Sequence, residues 1–149
     1  MQGKHFVIIV LYVDDLIITR NNEYHIKHVK GELQVGFKTI DLETIHYYLR
    51  VEVTQCPNNI FLSQTKYATN LLNKFGMEEC KPYLTPMEHN LKLSKFEGED
   101  LVDDTKYMQL IGSLIYLRNT RLDLSYLVSI LSRFMQEQKE SHWNSAKRV

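Results

Sequence analysis

The chain has 149 residues, of which 44% are hydrophobic and 24% charged, and its 18 basic and 18 acidic side chains give a formal net charge of zero. Such a length suits one compact unit or a fragment of a larger assembly, and the composition excludes a disordered chain. The even charge balance excludes a globally basic binder of phosphate backbones, so any nucleic-acid surface must be local.

The apolar run from Phe6 to Leu11 is too short for a membrane span and is followed by Asp14 and Asp15 rather than a cleavage site. Neither secretion nor a membrane partner is expected. Phe6 through Tyr12 and Leu16 through Thr19 are continuous apolar, β-branched runs on either side of Val13-Asp14-Asp15. They predict a tight hairpin of buried strands with the carboxylates at its tip. Charges held between such strands call for a cation to neutralise them. Beyond the hairpin, Ile26, Val29, Lys30 and Leu33 recur at helical spacing, with Asn21 or Asn22 to cap the start and Gly36 to close the end.

Ile45, Tyr47, Leu49, Val51 and Val53 alternate with more polar residues, predicting a strand that turns at Pro57-Asn58-Asn59 into a second one at Ile60 to Leu62. Cys56 and Cys80 match neither a CxxC metal site nor a disulfide framework and read as ordinary thiols of a reducing compartment. Ser63 is placed to cap a helix carrying Tyr67, Leu71, Leu72 and Phe75 on one side, with Gly76 where a left-handed cap is wanted. A linker through Pro82 and Pro86 to about Gly98 leads to an amphipathic helix on Tyr107, Leu110, Ile111, Leu114 and Ile115. A second helix follows on Leu124, Leu127, Val128 and Leu131, and Ser141-His142-Trp143 opens a third. The expected class is α+β, divided into residues 1–62 with the two hairpins and residues 63–149 with the helices.

An Asp pair in a turn is by itself most often solvated. Here it completes Tyr12-Val13-Asp14-Asp15-Leu16-Ile17-Ile18-Thr19, which resembles the Tyr-x-Asp-Asp box of reverse transcriptases. The likeness continues through His46-Tyr47-Tyr48-Leu49, Ser63-Gln64 with Tyr67, Lys74-Phe75-Gly76-Met77 and Lys81-Pro82 with Thr85-Pro86-Met87. Further on come Gly112-Ser113-Leu114-Ile115-Tyr116-Leu117, Thr120-Arg121, and Ser132-Arg133-Phe134-Met135 with His142-Trp143. In order and spacing the chain resembles the C-terminal half of the polymerase region of copia-type retrotransposon Pol polyproteins.

The resemblance implies an RNA-directed DNA polymerase that uses an RNA template, a DNA primer and dNTPs in an intracellular setting, with two Mg2+ (or Mn2+) ions bridging carboxylates and nucleotide phosphates. It makes Asp14 the firmer catalytic metal ligand and Asp15 the supporting one, sets Tyr12 beside the template-primer end and turns Val13 toward the nucleic acid. Tyr48 and Leu49, with Arg50, take the place of the primer-grip turn that aims the primer hydroxyl at the metals. Residues 1–62 correspond to part of a palm. Residues 63–149, with Lys66, Lys74 and Lys81, correspond to a thumb and connection-like segment that stops at Val149.

The family's first metal-binding aspartate lies upstream of the box, and Met1 to Leu11 contain no acid, so the resemblance leaves the catalytic set and the fingers incomplete. Arg20, Arg50 and Leu122 stand where the family pattern has glycine, glycine and proline. The expectation is therefore a fragment inactive alone, open to complementation by a missing palm and fingers segment. Two other readings stay open: a non-catalytic RNA:DNA-hybrid-binding module, and a protein-interaction remnant with an exposed sheet edge. The six histidines show no shared ligand spacing beyond His25 and His28, three apart on one helix.

Overall fold

In the computed structural model, which describes residues 6–20, 23–91, 93 and 103–149, the first two apolar runs form β1 (Val7–Tyr12) and β2 (Asp15–Arg20), paired antiparallel from Val7 opposite Arg20 to Tyr12 opposite Asp15. β-Branched Val and Ile residues favour this extended pairing. The hairpin is the expected one, but its strands are not buried: Ile8 and Ile9, which point to opposite faces, are 49% and 48% exposed. Apolar composition specifies the strand, whereas burial needs a second layer on each face of a two-stranded sheet. Asp14 and Asp15 are likewise exposed. The cation that burial would demand is not required here.

α1 (Glu23–Gly36) follows, with Ile26, Val29, Lys30 and Leu33 as part of its half-buried side, matching the helical spacing. Asn21 and Asn22, the candidate caps, lie outside the described residues. Gly36 ends the helix without a positive φ. The Lys30 ammonium, 2.6 Å from the Asp41 carboxylate, ties α1 to the segment after it. That contact, with the Glu43 backbone N–H, holds the Asp41 carboxyl below the usual carboxylate range. These elements make one compact unit, Met1–Ile45, and His46–Val149 make a second.

The second unit opens on a three-stranded antiparallel sheet of β3 (Tyr47–Tyr48), β4 (Val51–Gln55) and β5 (Ile60–Ser63). The run 45–54, read from its alternation as one strand, is instead folded back at Leu49 and Arg50, whose φ values are +45° and +62°. Tyr48 thereby faces Val51 across the hairpin, so the parity of the pattern switches and Tyr47 falls on the opposite face from Val51 and Val53. Alternation alone cannot reveal a two-residue turn that lacks glycine and asparagine.

α2 (Thr65–Lys74) starts at Gln64 and not at Ser63, and no side chain of the cap residue closes it. The orphan donors are met from β4: the Glu52 carboxylate accepts from Thr65 N–H at 2.8 Å, from Lys66 N–H at 3.3 Å and from the Ser63 hydroxyl at 3.2 Å. At the other end Gly76 adopts φ +64°, Met77 N–H reaches Leu72 O and Gly76 N–H reaches Asn73 O, the expected left-handed closure. Tyr67 and Leu71 are buried, but Leu72, expected on the same side, is 44% exposed. Pro82 and Pro86 lie in irregular chain, while Gly98 and most of the last part of the linker lie outside the described residues.

Asp103 caps α3 (Asp104–Leu117) by accepting from Thr105 and Lys106 N–H. A short 3-10 turn (Leu122–Leu124), α4 (Ser125–Leu131), a second 3-10 turn (Ser132–Phe134) and α5 (Glu140–Lys147) complete the unit. Tyr107, Leu110, Ile111, Leu114 and Leu117 form one buried seam on α3, covered by Tyr67 and Leu71 of α2, by Leu124, Leu127, Val128 and Leu131, and by Ala146 of α5. Each fully buried aliphatic side chain contributes about 1.5–3 kcal/mol. Two polar side chains inside are paired: Tyr107 hydroxyl donates to Leu131 O at 2.9 Å, and His142 Nδ1 accepts from Lys139 N–H at 3.0 Å. Among the described residues no helix is long and apolar enough to cross a membrane. The class is α+β, with two small sheets and five α-helices among the described residues.

Glu52→Ala strips the start of α2 of its acceptor and is expected to lower stability in urea denaturation by about 1 kcal/mol, as cap deletions do. Burial pushes the Tyr107 phenol above its ordinary value of about 10. A folded-state pKa raised in this way stabilises the fold below that pH, and the contribution is lost as pH rises further and the unfolded chain ionises first. Tyr107→Phe should therefore lose about 1 kcal/mol at neutral pH through its hydrogen bond and decline less steeply than wild type above pH of about 10.

Candidate functional site

The β1–β2 turn is made by Val13 and Asp14, with Asp15 as the first residue of β2 directly across from Tyr12. Val13 has φ +52°. A β-branched side chain in that region is strained by about 1–3 kcal/mol, so this short turn is held by the strand register rather than by its own preference. The outcome is a tip on which Tyr12 is 52% and Val13 77% exposed, beside two adjacent exposed carboxylates. Among the described residues neither Asp14 nor Asp15 takes part in a side-chain hydrogen bond or ion pair.

Two neighbouring hard oxygen donors at the surface suit Mg2+, which keeps several waters and is commonly held by one or two carboxylates plus substrate phosphates. The residues at the tip fit such an ion as a partial donor set. Among the described residues no group of three or more His, Cys, Asp and Glu could hold a metal by itself. His28, one of the two helical histidines, sits 3.3 Å from Glu32 on the next turn of α1.

Tyr48 and Leu49 lie in the second unit, at the turn between β3 and β4. Leu49 is 46% exposed, and its carbonyl accepts a hydrogen bond from the Tyr116 hydroxyl of α3. Tyr116 meets Tyr67 edge to face at 5.2 Å, and the Arg50 guanidinium lies 5.4 Å from the centre of the Tyr67 ring. The left-handed Leu49–Arg50 turn is thus clamped from α2 and α3, which explains how two non-glycine residues hold it. Arg50, for which the resemblance implies a glycine position, has a positive φ.

Lys66 lies over the exposed Tyr47 ring at 5.6 Å, Lys74 near Phe75, and Lys81 in an exposed loop. Leu122 is 77% exposed at the first position of its 3-10 turn, a place where proline fits without loss of a hydrogen bond. Arg121 beside it forks onto Asp123 at 2.9 and 2.7 Å. That contact holds the Asp123 carboxyl low. Sequence reading missed Tyr116 and Glu52. Tyr116 sits in an apolar helical motif that reads as core, and Glu52 acts on residues 13 and 14 positions away, so neither leaves a local signal.

The family model "Reverse transcriptase (RNA-dependent DNA polymerase)" matches residues 1–89. The chain is 39% identical over 148 residues to the Retrovirus-related Pol polyprotein from transposon RE2 of Arabidopsis thaliana, covering 99% of this chain and 10% of that protein. It is 32% identical over 153 residues to the Retrovirus-related Pol polyprotein from transposon TNT 1-94 of Nicotiana tabacum, covering 97% of this chain and 12% of that one. An uncharacterized mitochondrial protein of Arabidopsis thaliana is 36% identical over 141 residues, 95% of this chain and 58% of that protein. The chain therefore spans about a tenth of the Pol polyproteins it matches. No solved structure matches it.

Val13→Gly relieves the strain at this position and should raise the stability of the hairpin unit by about 1 kcal/mol, read as slower amide exchange across β1 and β2.

Proposed function

Because the chain belongs to the reverse transcriptase (RNA-dependent DNA polymerase) family, as found in Pol polyproteins of copia-type retrotransposons, we propose that its Asp14 and Asp15 are metal-binding carboxylates of a site for RNA-templated nucleotidyl transfer. The observation that carries this reading is their adjacency, exposed and free of side-chain partners among the described residues, on a strained turn within the matched residues 1–89. Asp14 binds as the principal ligand and Asp15 as the supporting one. Asp14 and Asp15 would hold Mg2+, which when bound would supply Lewis acidity toward a primer hydroxyl and a pyrophosphate leaving group.

The chain's own residues bind and orient. Tyr12 and Val13, both exposed at the tip, face the template-primer end, and the turn with Tyr48 and Leu49 holds the primer strand. Tyr116 and Tyr67 keep that turn rigid, which counts because a misplacement of about 1 Å can cost a hundredfold in rate. The rest of the oxygen shell comes from water and nucleotide phosphates, since the tip offers two carboxylates.

Isothermal titration of Mn2+ into the chain mixed with an RNA:DNA primer-template tests the proposal. The expected result is hybrid-dependent metal binding that Asp14→Asn abolishes. Equal heats for wild type and Asp14→Asn would reduce the carboxylate pair to a solvated turn.

A further inference from the structure

The turn between β4 and β5 is closed at Cys56 and Asn59, whose main-chain groups bond to each other in both directions, at 2.8 and 3.3 Å. Bonded and non-bonded pairs alternate along an antiparallel ladder, so this pair sets the phase of the hairpin. Phe61 and Ser63 direct their main-chain groups at Thr54 and Glu52, whereas Ile60 and Leu62 direct theirs away from β4. Val53 keeps the same phase, since its N–H donates to His46 O at 2.8 Å on the side away from Leu62. β5 is the last strand of its sheet, and among the described residues the outward groups of Ile60 and Leu62 take no other hydrogen bond. Strand edges are commonly guarded by lysine, proline or a bulge. The run Ile60-Phe61-Leu62-Ser63 has none of these and no charge, and Ile60, Phe61 and Leu62 are 64%, 58% and 59% exposed.

We propose that β5 pairs antiparallel with β5 of a second copy of this chain, about a two-fold axis at Phe61, joining two three-stranded sheets into one. In that register Ile60 exchanges both main-chain bonds with the partner's Leu62, and Leu62 does the same with the partner's Ile60, so every outward group of both strands is used. Phe61 faces the partner's Phe61 as a non-bonded pair, with Cα atoms about 4.5 Å apart, the arrangement in which cross-strand side chains lie closest and an aromatic pair stabilises most directly. Ser63 meets the partner's Asn59, polar against polar. The occupant is a second copy because the strand is complementary to itself. A two-fold contact sets any charge near the axis against its own kind, and this strand carries none. A pairing this short buries less than a standard interface, so the dimer is weak and reversible, half-associated at roughly 100 µM. The proposal is independent of the metal reading, whose carboxylates lie in the other unit.

Sedimentation of the full chain in EDTA from about 10 to 500 µM tests it, for wild type, Phe61→Lys, Ile60→Pro and Ile9→Lys. Wild type should pass from monomer to dimer over this range. Phe61→Lys sets two ammonium groups against each other at the axis and should weaken the dimer at least about tenfold. Ile60→Pro should do the same, because it removes an outward donor at the first position of an edge strand, where proline leaves the β4 ladder whole. Both variants should keep the wild-type circular dichroism spectrum, since one replaced side chain is exposed and the other lost group faces outward. Ile9→Lys, on the exposed β1–β2 hairpin, should dimerise as wild type does. A wild-type chain that stays monomeric throughout would overturn the proposal and leave the β5 edge to a strand of another protein. A dimer that survives both Phe61→Lys and Ile60→Pro, or that Ile9→Lys alone abolishes, would overturn it by moving the contact away from β5.

Discussion

Tyr107, Leu110, Ile111, Leu114 and Leu117 line one side of α3, and in the second unit α2, α4 and α5 all bury side chains against that seam. Helices of seven to fourteen residues are marginal alone, so their persistence depends on a shared apolar surface more than on their own propensities. The same helix carries Tyr116, whose hydroxyl reaches the carbonyl of Leu49. A hydrophobic contact surface therefore also fixes the geometry of a polar turn, and disturbance of the seam would loosen the turn without touching it.

Both tight turns with proposed roles use residues that disfavour their own backbone conformation: Val13 in one, Leu49 and Arg50 in the other. Such conformations persist only where surroundings over-determine them, and they concentrate where a side chain must be presented in a set direction. The two turns are held by different means. The β1–β2 turn relies on six cross-strand pairs, and the β3–β4 turn on a hydrogen bond, an edge-to-face ring pair and a cation over a ring. Regular pairing keeps the first in register while leaving its carboxylates free, whereas the second is tied down by Tyr116 of α3 and Tyr67 of α2.

What the sequence disclosed depended on the range of the interaction that produced it. The α1 face at Ile26, Val29 and Leu33, the α3 seam and the left-handed Gly76 each follow from residues within a turn or two and could be read directly. The break at Leu49–Arg50 was invisible to alternation and legible only through family resemblance, because a two-residue turn keeps the spacing while reversing the faces. Capping of α2 by Glu52, clamping by Tyr116 and the exposure of β1 depend on partners distant in sequence or on layers that composition does not encode. The acidic tip itself was legible as a motif, but its environment was not, since burial was inferred from apolarity and the strands turned out to be exposed.

Zero net charge conceals a sorting of charge by place. At the hairpin tip two carboxylates stand together, and a phosphate can approach them only when cations lie between. Beside the Leu49–Arg50 turn, Arg50 and Lys74 line a cleft of about 350 Å³ whose wall holds no carboxylate. Contacts of the first kind depend on divalent ions, and contacts of the second kind weaken with salt. The two surfaces thus answer to different solution variables.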